Sequence, residues 1–188
     1  QKGLKELGVY PVLFNNIKKG IFLFYEFYCH FHLKDFQKGQ QVAQQILELF
    51  PKDNNNWLYF QEYYFLLAIQ TRNYLKAQEI FQEMVGHPRF KEMPYIAQEK
   101  WKIYEAYLKY ALLNQDQAGQ TGLNHEENPH EFKIQKFLNE VYVYQKDKKE
   151  MNVAILIIQI LYYLQKDRYK DIIDRISPLR QYAARYLK

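Results

Sequence analysis

WLYFQEYYFLLAIQTRNYLKAQEIFQEMVGHP, residues 57–88, is the stretch whose reading decides the fold. Its second half places Tyr74, Ala77, Ile80, Phe81 and Met84 on one face at helical period. Gly86 and Pro88 stop that helix. The first half reads as a helix over Trp57–Thr71, with Asp53 and the Asn54–Asn56 run as candidate caps. Two helices joined by a few residues form an antiparallel pair.

The same signals recur on both sides. Gln40–Phe50 carries Val42, Ala43, Ile46, Leu47 and Phe50 on one stripe, and Pro51 ends it. Tyr95–Leu113 and Glu131–Gln145 read as further helices. Asn152–Gln165 is apolar nearly all round, the mark of a helix buried on most sides, and Ile157 is expected at its centre. Arg168–Ile176 shows Tyr169, Ile172, Ile173 and Ile176, after which Ser177 and Pro178 read as the cap and first residue of a last helix. Nothing alternates at period two, so no strand is expected. Gly3, Gly8 and Pro11 interrupt the first 20 residues. Asp116–Pro129, with two glycines and a proline, is long for a helix–helix connection. It divides the chain into a helical region 1–115, a linker or loop 116–129, and a helical region 130–188 of the same array.

The helices repeat. Leu23, Glu26, Phe27 and His30 precede Gly39, Ala43 and Pro51; Trp57, Phe60, Gln61 and Tyr64 precede Ala77, Phe81 and Pro88. Leu23 to Trp57 and His30 to Tyr64 are both 34 residues, whereas Gly39 to Ala77 is 38, so the second copy is read as having four extra residues between its helices. Leu156, Ile160 and Tyr163 before Ile172 and Ile176 make a third copy. Phe36, Tyr74 and Tyr169 each stand three residues before the small or apolar position. These residues follow W-x2-L-G-x2-Y, A-x3-F, P, and the chain resembles the tetratricopeptide-repeat family over roughly 21–51, 55–88 and 153–176. The resemblance implies an all-α fold of antiparallel helix pairs stacked as a right-handed solenoid. Phe27, Gln61 and Ile160 stand where the family has glycine, and Ile172 is bulky where it has alanine. Bulky residues keep helices apart and change crossing angles, so a degenerate solenoid is expected.

Composition narrows the rest. Of 188 residues 48% are hydrophobic and 25% charged, which suits a folded chain rather than a disordered one. The single cysteine, Cys29, excludes an internal disulfide and points to a reducing compartment, taken as the cytoplasm. Cys29 is expected to be a buried small residue. No stretch reaches the roughly 20 apolar residues of a membrane span. The chain starts at Gln1 and shows no basic start with an apolar core, so no signal peptide is expected. The net charge is +5, about four of it from residues 166–188, which reads as the solvated face of terminal helices.

No pattern of residues promises catalysis. There is no glycine-rich phosphate loop and no H-E-x-x-H. His30 and His32 are two apart on a helix and face different ways. His125 and His130 flank Glu126 and Glu127 without metal-ligand spacing. No enzyme, cofactor or metal is expected. Many Tyr and Phe in a basic chain suit nucleic-acid stacking, but Tyr64, Tyr74, Phe81, Tyr163 and Tyr169 recur at the spacing of a core. The family resemblance implies a groove lined by first helices, projected here onto Phe24, Tyr28, Phe31, Leu58, Glu62 and Phe65. That surface is apolar with one acid, so the Lys, Arg and Asn clamp that some family members close on a carboxylate does not carry over. The reading is a non-catalytic interaction module for a protein or peptide partner or a second copy. The alternatives are a sensing region of a larger regulator and a nucleic-acid-binding helical array.

Overall fold

The computed structural model describes residues 15–119, 137 and 151–186. Among them are seven α-helices and no strand. They are α1 (Asn16–His32), α2 (Phe36–Leu49), α3 (Asn55–Gln70), α4 (Tyr74–Gly86), α5 (Tyr95–Gly119), α6 (Met151–Gln165) and α7 (Tyr169–Tyr186), with a short 3-10 helix, Pro88–Glu92, after α4. None of the described helices is long and apolar enough to cross a membrane. The chain divides into two compact units, Gln1–His87 and Pro88–Lys188. α5 runs four residues into the segment expected to be irregular; the rest of 116–129, and Glu131–Gln145 apart from Phe137, lie outside the described residues.

Local chemistry starts each helix of the first unit. The side chain of Asn15 accepts from the Lys18 amide at 3.0 Å, that of Asn54 from Asn56 at 2.8 Å, and that of Asn73 from Lys76 at 3.2 Å. Asp35 does the same for α2. Each cap satisfies an amide that the first turn leaves without a partner.

The pairs α1/α2, α3/α4 and α6/α7 turn in one way. Lys34, Arg72 and Asp167 have positive φ of 59°, 57° and 53°. The amide before each second helix reaches back five positions: Asp35 to the His30 carbonyl, Asn73 to Ala68 and Arg168 to Tyr163, each at 2.9 Å. The left-handed residues donate to Phe31, Ile69 and Leu164. This is the Schellman closure, built three times without glycine. Phe36, Tyr74 and Tyr169 are then the first residues of the second helices.

In the first unit α1 packs on α2, α2 on α3, and α3 on α4. Ala43, Ala77 and Gly39 are buried between paired helices. Gly39 needs no special approach, since a Cβ there would stand 3.8 Å from Leu67 Cδ1. Gly20 does: a Cβ would stand 2.3 Å from Cε1 of the buried Phe50. The first helices meet through rings, with Phe27 and Phe60 centroids 5.2 Å apart and edge to face.

In the second unit α5 and α6 enclose Ile103, Ala106, Phe137, Ile155, Ile158 and Tyr162. A half-buried and a buried phenol fasten the helices: Tyr107 donates to the Ala154 carbonyl at 2.8 Å and Tyr162 to the Ala106 carbonyl at 3.2 Å. Burial pushes the Tyr107 pKa up to about 12 and moves Tyr162 in the same direction.

Four expectations are corrected. Ile157 is 37% exposed, while Ile155 and Ile158 beside it are fully buried. α6 is apolar all round but packs on only part of its circumference. Ser177 and Pro178 start no new helix, because α7 runs through Pro178. Pro178 takes the amide partner from the carbonyl of Asp174, and Asp174 is exposed, so that loss falls at the surface rather than in the core. Tyr169 is exposed rather than core. Cys29 is exposed too, because two residues turn it roughly 200° away from the buried Phe27.

Candidate functional site

The three left-handed turns fix the register of the pairs. Lys34 and Arg72 are 38 residues apart. Counted from them, Phe27 corresponds to Phe65 and Leu23 to Gln61, and the two connections are equally long. The 34-residue matches, Leu23 with Trp57 and His30 with Tyr64, therefore set α1 and α3 about one helical turn out of step, and no extra residues lie between α3 and α4. The surface projected at that spacing shifts accordingly. Phe24, Tyr28 and Phe31 correspond to Glu62, Leu66 and Ile69, not to Leu58, Glu62 and Phe65.

This register explains where the six residues lie. Leu58 and Phe65 are 6% and 1% exposed and belong to the core. Phe24, Phe31 and Glu62 are half-buried, and Tyr28 is 41% exposed. The structure gathers Phe24, Tyr28 and Phe31 with two residues that the sequence reading missed, Tyr63 and His32. Tyr63 lies 5.2 Å from Phe24 and 5.9 Å from Tyr28, both edge to face. The His32 ring is 4.1 Å from Tyr28 and 5.6 Å from Phe31. Burial, then the adjoining Glu62 carboxylate, raises the pKa of Tyr63, so the phenol stays neutral. Aligning the pairs by Lys34 and Arg72 sets Tyr63 opposite Tyr25 and not opposite Phe24, Tyr28 or Phe31, so only the packing of α1 on α3 brings Tyr63 to them.

Beside this ledge Ile21, Phe24, Phe50, Asn56 and Tyr59 line an open cleft of about 70 Å³. Small-molecule sites span roughly 300–1,000 Å³, so the cleft suits one side chain rather than a cofactor.

The other reactive groups have structural settings. His30 Nδ1 lies 3.5 Å from Asp35 Oδ2, and Lys38 Nζ lies 2.8 Å from the same oxygen. The hydrogen bond from the Lys38 side chain holds the Asp35 carboxyl below its usual range. That group is the cap of α2. Glu99 is fully buried, with Oε1 2.6 Å from Lys102 Nζ one turn on. Among the described residues no three His, Cys, Asp or Glu side chains group as metal ligands would. His125, Glu126, Glu127 and His130 lie outside the described residues. Comparison with known proteins finds no family model, no curated protein and no solved structure that matches this chain.

Proposed function

We propose that the chain is a non-catalytic helical-repeat interaction module that holds an apolar segment of a protein partner against Phe24, Tyr28, Phe31 and Tyr63. The observation that carries this reading is the ledge itself. Four aromatic rings and His32 are linked by edge-to-face and tilted contacts with Tyr28 41% exposed, and a single-side-chain cleft opens beside them. Contiguous apolar surface of this kind marks binding sites, and rigid aromatics supply contact area at little entropic cost. The turn shared by three helix pairs supports the helical-repeat reading, solenoid included. The free, exposed Cys29 fits a reducing compartment such as the cytoplasm.

Peptides selected from a displayed random library test the proposal. Their affinity is to be compared for wild type, Tyr28→Ala and Phe24→Ala, with folding followed by circular dichroism. Loss of an anchor is expected to cost roughly 1–4 kcal/mol of binding, with Tyr28→Ala leaving the fold intact. Selected peptides that bind both variants as tightly as wild type would place the site elsewhere.

A further inference from the structure

One ring of the ledge is an imidazole. Histidine is the side chain that ordinarily changes charge between about pH 5 and 8. His32 is exposed in the last turn of α1, and its ring lies 4.1 Å from Tyr28 and 5.6 Å from Phe31. A segment laid on Tyr28 and Phe31 therefore rests against the imidazole as well.

Its surroundings differ from those of His30, which two residues set roughly 200° round the helix. His30 Nδ1 lies 3.5 Å from Asp35 Oδ2, so a proton on His30 meets a carboxylate. Lys38 Nζ shares that oxygen at 2.8 Å, and Lys34 stands exposed in the turn between the helices. Around His32 the neighbours are aromatic. α1 presents Tyr28 and Phe31, and α2 presents Phe36 against Phe31. α3 presents Tyr63 against Tyr28, with the Glu62 carboxylate adjoining Tyr63. Among the described residues no carboxylate pairs with His32. A proton on His32 is thus held by solvent and by ring contacts.

We infer that His32 makes the ledge proton-sensitive: the neutral imidazole accepts an apolar segment on Tyr28 and Phe31, and protonation of His32 releases it. This rests on the ledge as the binding surface and adds its control. The physical cause is desolvation. An apolar segment that covers the ring removes water and offers no acceptor in return, which penalises the imidazolium far more than the neutral ring. The attraction between the cation and the Tyr28 ring strengthens as water leaves. It exists before binding as well as after, however, and returns only part of what a covered charge loses. The complex therefore favours the neutral ring. By linkage, a segment that binds the neutral form expels the proton, so its affinity falls as pH drops through the range where the free ring titrates.

End-capped peptides without Asp, Glu or His, selected from a displayed library on the 188-residue chain, are the probe. They carry no group of their own that titrates in the range. Their affinity is measured at about pH 7.5 and about pH 5.5, on either side of ordinary imidazole titration. Wild type is expected to lose about tenfold in affinity at the lower pH, an amount that one coupled proton supplies. His32→Gln is expected to show no such loss. His30→Gln and Glu62→Gln are expected to show the same loss as wild type. Peptides that need Tyr28, by their loss with Tyr28→Ala, yet bind wild type equally at both pH values overturn the inference and leave the ledge standing. A loss retained in His32→Gln, or abolished in His30→Gln or Glu62→Gln, overturns it as well and assigns the proton elsewhere. Peptides that bind Tyr28→Ala as tightly as wild type remove the ledge, and this inference with it.

Discussion

Gly20 and Gly86 show how one missing methyl means different things at two places. Both sit in helices, where alanine is favoured by up to about 1 kcal/mol. At Gly86 a Cβ would meet nothing within 4 Å. Gly86→Ala is expected to be neutral or stabilising by a few tenths of a kcal/mol to about 1 kcal/mol. At Gly20 the methyl would enter the ring of Phe50, which is itself buried and has little room to retreat. Overpacking costs about 1–3 kcal/mol, so Gly20→Ala is expected to lose about 1 kcal/mol net. Urea denaturation of the two variants measures the difference, and a stabilised Gly20→Ala would show that Phe50 yields freely. In α6 the contrast is between neighbours. Ile158→Asp puts an unpaired carboxylate in the α5–α6 core at several kcal/mol, which is of the order of total stability. Ile157→Asp points partly to solvent and is expected to fold. Equal melting temperatures for the two would contradict this packing.

Helix pairs depend on their turns. An L-residue in the left-handed region costs roughly 1–2 kcal/mol, and glycine returns only part of that because it loses more entropy on folding. Lys34→Gly and Arg72→Gly are each expected to stabilise by about 0.5–1 kcal/mol, read as a rise in melting temperature. Asp167→Gly is expected to gain less, because Asp167 Oδ1 accepts from the Tyr169 hydroxyl at 2.9 Å. A fall in stability for Lys34→Gly would mean that the shared turn is not as described. The α5–α6 contact depends instead on a proton. Tyr107 is held near 12 in the fold against an ordinary value of about 10, because burial disfavours the phenolate. A raised acid pKa contributes stability that is complete below the unfolded value and lost as pH rises through the folded one. Melting temperature is therefore expected to fall between pH of about 10 and about 12, with tyrosine absorbance reporting ionisation. Tyr107→Phe is expected to weaken that dependence and to cost about 0.5–1.5 kcal/mol at neutral pH through the lost bond to Ala154. A pH profile unchanged by Tyr107→Phe would leave Tyr162 as the group responsible.

Among the described residues the tyrosines and phenylalanines run from buried to exposed. Phe27, Phe60, Tyr64, Phe65, Tyr162 and Tyr163 are buried and serve as core. Tyr25, Tyr59, Tyr95 and Tyr169 are exposed. Basic charge in the last segment is partly tied up internally: Arg168 pairs with Asp171 at 2.8 Å and lies over the Tyr163 ring at 5.0 Å. Such guanidinium contacts position the turn before α7 rather than offer a phosphate site. Far-ultraviolet circular dichroism is expected to be helix-dominated with negligible strand. A strand-dominated spectrum would contradict the architecture at every level.

Periodicity alone determined the helices, because a 3.6-residue apolar stripe has one stable way to bury itself. The extents of α3, α4 and α6 were legible within a residue or two, and Asn54 was legible as a cap. Sequence chemistry also marked Phe36, Tyr74 and Tyr169 as equivalent. The register of α1 against α3 was not legible. Aromatic residues recur so often in both helices that a 34-residue match and a 38-residue match look equally good, and only the left-handed Lys34 and Arg72 separate them. Half of the expected surface depended on that one-turn difference: Phe24, Tyr28 and Phe31 kept their place, and Leu58 and Phe65 moved into the core. The same limit applies to α6. A helix apolar on every side tells that it is wanted by neighbours, while which of its faces is covered depends on how many neighbours it has, and that is a property of the tertiary structure alone.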